Sequence, residues 1–120
     1  YNLALQRKPL NPDIHNNIGL LLISEGQLDQ AAARFRRAME LDPNYAKAHF
    51  NLGKVQALQG NLDDAVRSFE EALRLQPGVA EIHENLARVL VLKGNKKEAL
   101  QHYQDALRLM KAKKQFVPPS

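Results

Sequence analysis

The chain has 120 residues, 44% of them apolar and 25% charged, with few aromatics and no cysteine, so it reads as a folded helical protein and excludes disulfide, thiol and cysteine-metal chemistry. Its net charge of +4 is unevenly placed, since residues 1–92 hold 10 basic and 11 acidic side chains while 93–114 hold 7 basic and 2 acidic ones. No apolar run approaches the roughly 18 to 20 residues that span a bilayer and the start does not resemble a signal peptide, so a cytoplasmic location is expected ahead of a secreted one.

Taken in order, the chain repeats itself every 34 residues, and Tyr1 in place of a starting methionine suggests an excised piece of something longer. Residues 1–11 read as the second helix of a preceding partial repeat, because Tyr1, Ala4 and Pro9 fall one period before Phe35, Ala38 and Pro43. A first unit covers residues 12–45. Asn11 followed by Pro12 is a helix start, with a capping side chain ahead of a proline whose missing N–H costs nothing there. Helix A should run from about Pro12 to Glu25; Gly26 ends it, Asp29 can cap the next, and Ala31 to Leu41 carries the apolar spacing of helix B.

The second unit, 46–79, should place helix A over about Asn44 to Gln59 and start helix B at Asp63. The third, 80–113, should place helix A over about Ala80 to Lys93 and helix B over about Lys97 to Lys113, leaving 114–120 as a tail. Lys111 stands where the other units have Pro43 and Pro77, so the last helix can run on without the usual break. Small residues recur at fixed places, Gly19, Gly53 and Ala87 on the A helices and Ala31, Ala65 and Ala99 on the B helices, which marks where backbones approach. Turns of three or four residues force each pair antiparallel, and no period-two alternation points to a sheet.

These columns resemble the tetratricopeptide-repeat family. The matching series are His15, Ile18, Gly19, Leu22, Ala31, Phe35, Ala38, Pro43; then His49, Leu52, Gly53, Gln56, Ala65, Phe69, Ala72, Pro77; then His83, Leu86, Ala87, Leu90, Ala99, Tyr103, Ala106, with Lys111 for proline. The resemblance implies an all-α, right-handed α-solenoid of antiparallel helix pairs, three full repeats plus an N-terminal half-repeat. It also implies a non-catalytic protein–protein interaction module whose A helices line a concave face.

On that face the strongest candidates are Asn17, Asn51 and Asn85, one per repeat at the same point of helix A. A primary amide both donates and accepts, so a ladder of them can hold the backbone of an extended peptide whatever its sequence. Helices packed about 8–10 Å apart would set one rung for about every third residue of a strand-like ligand. A similar ladder occurs in family members that feed substrates to O-GlcNAc transferase and in the peroxisomal import receptor. Helical spacing adds Leu20, Lys47, Phe50, Lys54, Glu84 and Arg88 to the lining, mixed in charge with an apolar middle, which suits an amphipathic peptide better than a polyanion. Members that grip chaperone tails carry Lys and Asn where this chain has Asn16 and Leu20, which argues against that ligand.

His15, His49 and His83 recur at the period, but equivalent residues on stacked helices point in parallel and cannot converge on a metal, so no metal or cofactor is assigned. They fit the slot the family gives to an aromatic, between helices A and B. His102 has no evident carboxylate or cysteine partner in the sequence and reads as a surface residue. The basic end, with Lys93, Lys96, Lys97, Arg108, Lys111, Lys113 and Lys114, lacks the interleaved aromatics of a nucleic-acid site and a clean amphipathic stripe for a membrane. The expected partner is therefore a protein or peptide, with no nucleic acid and no membrane insertion. A second class of reading is a homo-oligomer or scaffold joined through open repeat ends, where Leu3 and Leu5 at the front and Leu100, Tyr103 and Leu107 at the back lack cover.

Overall fold

The structure is a computed structural model in which residues 11–115 are described, so the expected half-repeat over 1–11, with Leu3 and Leu5, and the tail beyond Gln115 lie outside it. Six helices follow in order: α1 (Pro12–Ser24), α2 (Leu28–Leu41), α3 (Ala46–Leu58), α4 (Leu62–Leu75), α5 (Ala80–Leu92) and α6 (Lys96–Gln115). No strand occurs among the described residues, and none of these helices is long and apolar enough to cross a membrane. The odd-numbered helices are the A helices and the even-numbered ones the B helices.

Each helix packs most heavily on its hairpin mate, next on the helix that follows the hairpin, and only lightly on the second neighbour. That hierarchy defines an α-solenoid of helix pairs. A compact globule of this length has a radius of gyration of about 13.6 Å, whereas this chain measures 16.3 Å. The core is accordingly divided. One cluster joins Ala31, Phe35 and Ala38 of α2 to Ala48, Leu52 and Val55 of α3. The other joins Ala65, Phe69 and Ala72 of α4 to Leu86, Val89 and Leu90 of α5 and Ala99 of α6.

Local chemistry repeats with the period. The A-to-B turns close on Gly26, Gly60 and Gly94 at φ +79°, +84° and +88°, a left-handed conformation that favours glycine. Behind each glycine the next N–H reaches back to the helix, Gln27 to Leu22 O at 2.9 Å, Asn61 to Gln56 O at 2.8 Å and Asn95 to Leu90 O at 2.8 Å. Gly19 and Gly53 do a different job. A Cβ at Gly19 would stand 2.5 Å from the Phe35 ring, and one at Gly53 would stand 2.8 Å from the Phe69 ring, so each aromatic is seated on bare helix backbone.

Two local expectations need correction. Asp29 and Asp63 do not cap the B helices, which begin one residue earlier at Leu28 and Leu62 with no side-chain cap. Their carboxylates join successive hairpins instead: Asp29 accepts from Gln59 Nε2 at 2.6 Å, and Asp63 pairs with Lys93 one period further on. Helix α3 starts at Ala46 rather than Asn44, because Asp42 turns the chain by accepting from the Asn44 N–H at 3.1 Å. The N-cap at Asn11 holds, its side chain accepting from Asp13 N at 2.9 Å, and α6, 20 residues long, continues past Lys111 to Gln115.

Candidate functional site

The A helices meet along two seams, α1 with α3 and α3 with α5, and the residues at equivalent places of the repeat make the two seams chemically different. At the first, Asn51 Nδ2 donates to Asn16 Oδ1 at 2.8 Å, and both side chains are buried, at 6% and 4% exposure. One period on, the place of Asn16 is taken by Phe50, which has no oxygen to accept with. Asn85, the equivalent of Asn51, therefore turns its NH₂ to its own helix and donates to Glu81 O at 2.8 Å. Its side chain is only half-buried, and its Oδ1 accepts no hydrogen bond from the described residues.

Phe50 is instead half of an aromatic pair. Its ring lies 5.7 Å from that of Phe69, tilted by 52°, and the Lys54 ammonium sits 5.2 Å from its centroid. Three hollows lie along this seam. One of about 490 Å³ is lined by Lys54, Glu81, Glu84, Asn85 and Arg88. A second of about 300 Å³ shares Lys54, Asn85 and Arg88 and has Ala57, Leu58, Val89 and Leu92 as its apolar wall. A third of about 430 Å³ lies at the helix starts, between Lys47 and Phe50 on one side and Glu81 and Ile82 on the other.

The structure thus brings Lys47, Phe50, Lys54, Glu84, Asn85 and Arg88 together along the α3/α5 seam. It does not bring Asn17 and Leu20 there: both lie exposed on α1 and line none of these three hollows. Asn51 is inside the first seam with its NH₂ already engaged. Sequence reasoning missed the Asn16–Asn51 bond, although two amides in adjacent columns of neighbouring A helices are a signal that could have suggested it.

Charge along the seam is mixed. Lys54 of α3 and Glu81, Glu84 and Arg88 of α5 line the same hollow, so an approaching ligand meets charges of both signs. The basic end of the chain is partly neutralised within the fold, Lys93 by Asp63 and Arg108 by Asp105. Hydrogen bonding to Lys93, together with its positive charge, holds the Asp63 carboxyl below the usual carboxylate range. On the first seam's outer edge, the Tyr45 hydroxyl donates to Asp13, and burial together with that carboxylate pushes the phenol up to about 12.

The recurrent histidines face their B helix or the preceding turn, as the aromatic slot requires. His15 Nδ1 lies 3.2 Å from Arg34 Nη1, His49 Nε2 lies 3.0 Å from Pro43 O, and His83 Nε2 lies 3.3 Å from Pro77 O. His102 is not the partnerless surface residue expected from sequence. Its Nδ1 stands 3.1 Å from His83 Nδ1, and Asp105 is close to both.

Two family models match the chain, one described as a TPR repeat over residues 19–60 and one as a tetratricopeptide repeat over residues 59–112. Among solved structures, one titled "Crystal structure of MamA" is 22% identical with a TM-score of 0.86, over 90% of this chain and 63% of that one. Another, "Crystal structure of MamA protein", is 23% identical with a TM-score of 0.81, over 93% and 62%. A MamA mutant reaches 28% identity with a TM-score of 0.75, over 82% and 72%. This chain spans less than two thirds of the length of the first two, and at their identity the likeness shows the fold alone. No curated protein sequence matches it significantly.

Proposed function

The chain belongs to the tetratricopeptide-repeat family and is a protein–protein interaction module, and from that premise we propose that it holds an extended or amphipathic peptide along the α3/α5 seam. The observation that carries this reading is the open rung at Asn85. A half-buried amide with an uncommitted oxygen stands between two cations, Lys54 and Arg88, beside Glu84 and over the apolar wall of Leu58, Val89 and Leu92. A peptide N–H would donate to Asn85 Oδ1. Apolar side chains on one face of the ligand would settle on the wall, and acidic ones would meet Lys54 and Arg88.

The asparagine-ladder form of the reading has one engaged rung, since Asn51 uses its NH₂ inside the fold, and one exposed rung, at Asn17. The working segment of the groove is accordingly short, centred on the second and third repeats. Nothing in this mechanism asks for bond-making chemistry.

Selection from a random-peptide library against the chain tests the proposal, followed by fluorescence anisotropy of the recovered peptides on wild type and on Asn85→Ala and Arg88→Ala. Recovered peptides should share an amphipathic pattern and lose at least about tenfold in affinity on either variant. An empty selection, or peptides that bind both variants as tightly as wild type, would overturn it.

A second reading is favoured by α6, where Leu100 and Leu107 are 57% and 55% exposed on the last helix of the described array. Association of two chains through that end would cover them, and sedimentation over a range of concentrations decides it. A chain that stays monomeric at the highest concentration removes this reading and leaves the groove untouched.

A further inference from the structure

The side chains His83, His102 and Asp105 form the one place among the described residues where three potential metal ligands gather, with a ligand atom from each lying within 4.8 Å of the others. They belong to one hairpin, His83 on α5 and the other two on α6. His102 and Asp105 are three residues apart, so they share a face of α6, and that face is turned toward His83.

The two imidazoles are arranged as ligands usually are. His83 Nε2 lies 3.3 Å from the carbonyl oxygen of Pro77, so it carries the proton and its Nδ1 is left as a bare lone pair. A ring nitrogen held by a backbone carbonyl on its far side is the common supporting arrangement of a metal-bound histidine. The bare Nδ1 points at His102 Nδ1, 3.1 Å away. Two nitrogens bound to one tetrahedral zinc at about 2.0–2.1 Å stand about 3.4 Å apart, close to the 3.1 Å between these two, so binding asks the rings to turn and not the helices to shift. Asp105 is paired with Arg108 and partly exposed, and a side-chain rotation is what brings its carboxylate onto the pair.

The other two repeats show what the arrangement excludes. At the place of His102 they carry Arg34 and Ser68. Arg34 puts a guanidinium 3.2 Å from His15 Nδ1, which repels a cation, and Ser68 donates to Gln56 Oε1 at 2.6 Å and offers no nitrogen. Only the third repeat sets an imidazole opposite an imidazole.

We propose that His83 Nδ1, His102 Nδ1 and the Asp105 carboxylate bind a divalent transition-metal ion, zinc by its preference for two imidazoles and a carboxylate. A hollow of about 280 Å³ lined by Pro77, His83, Asp105 and Arg108 leaves the fourth position to water. Without metal, the proton of His102 sits on Nδ1 and is donated to His83. With metal it sits on Nε2, so the exchange is one of tautomers. The ion ties α5 to α6 at the end of the described array, independently of the α3/α5 groove.

The test is isothermal titration of zinc chloride into the tag-free full chain, with His102→Ser, Asp105→Ala and His49→Gln alongside. Serine is the residue the second repeat already carries at the place of His102, so His102→Ser keeps the fold, and circular dichroism checks it. One zinc per chain is expected, weakened by at least about tenfold in His102→Ser and Asp105→Ala and unchanged in His49→Gln. Nitrogen NMR of the zinc-loaded chain should show Nδ1 of both His83 and His102 as the bound atoms. Absence of zinc binding by wild type, or binding that His102→Ser leaves intact, would overturn the assignment.

Discussion

The seam between α1 and α3 and the seam between α3 and α5 are built from the same repeat, yet one is closed and the other open. In the first, Asn16 and Asn51 satisfy each other and both are buried. In the second, Phe50 replaces the Asn16-type amide, pairs with Phe69, and leaves Asn85 to bond its own helix beside the hollows. A single change of side-chain type in one column therefore separates an internal polar contact from the open seam that we propose takes a ligand. The period fixes the frame, and function is written in the departures from it.

Removing the ring beneath the open seam should have the largest effect. Phe69 is 1% exposed and seated on Gly53, so Phe69→Ala is expected to lower unfolding free energy by about 3–5 kcal/mol, read from urea denaturation. Next is Asn51→Ala, which leaves the buried Asn16 oxygen without its donor and is expected to cost about 1–3 kcal/mol in the same assay. Phe50→Asn sharpens the comparison, because it supplies an acceptor for Asn85 as Asn16 does for Asn51. It should lose the aromatic pair, about 0.5–1.5 kcal/mol, and slow exchange of the Asn85 side-chain amide protons as that rung closes. An Asn85 amide that exchanges as in wild type would break the proposed equivalence of the two seams.

Asn85→Ala should cost little, at most about 0.5 kcal/mol, since its amide is half-exposed and bonded only within its helix. The smallest effect concerns pH at the edge of the closed seam. Tyr45 has its folded-state value raised from 10.0 to about 12, so its contribution is present below pH 10 and lost as pH rises through about 12. Alkaline titration of the phenol absorbance should show a late component from Tyr45, and Asp13→Asn, which removes the accepting carboxylate charge, should bring it back toward 10.0.

The fold was legible because a repeat states its own geometry. Gly26, Gly60 and Gly94 mark the turns, and the Gly19–Phe35 and Gly53–Phe69 columns mark where a ring meets bare backbone. Of the nine lining residues named from sequence, the six in columns that hold Lys47, Phe50, Lys54, Glu84, Asn85 and Arg88 lie along the α3/α5 seam, where the proposed groove runs. What escaped were contacts between units. Asp29 and Asp63 look like caps until Gln59 and Lys93, from the next turn, are seen to claim them. His102 looks solitary until the A-to-B offset of 19 residues, shared by His15 with Arg34 and His83 with His102, sets it against a second ring. A column relates equivalent positions, whereas the decisive contacts run between columns.

At equivalent places, Asn51 serves stability and Asn85 is proposed to serve recognition. This division is tested most directly by measuring Asn51→Ala and Asn85→Ala side by side for unfolding free energy and for affinity to one library-selected peptide. The account expects the first variant to lose about 1–3 kcal/mol of stability and keep its affinity, and the second to keep its stability and lose affinity by about tenfold or more. Equal losses of stability in both, with affinity unchanged in Asn85→Ala, would contradict it.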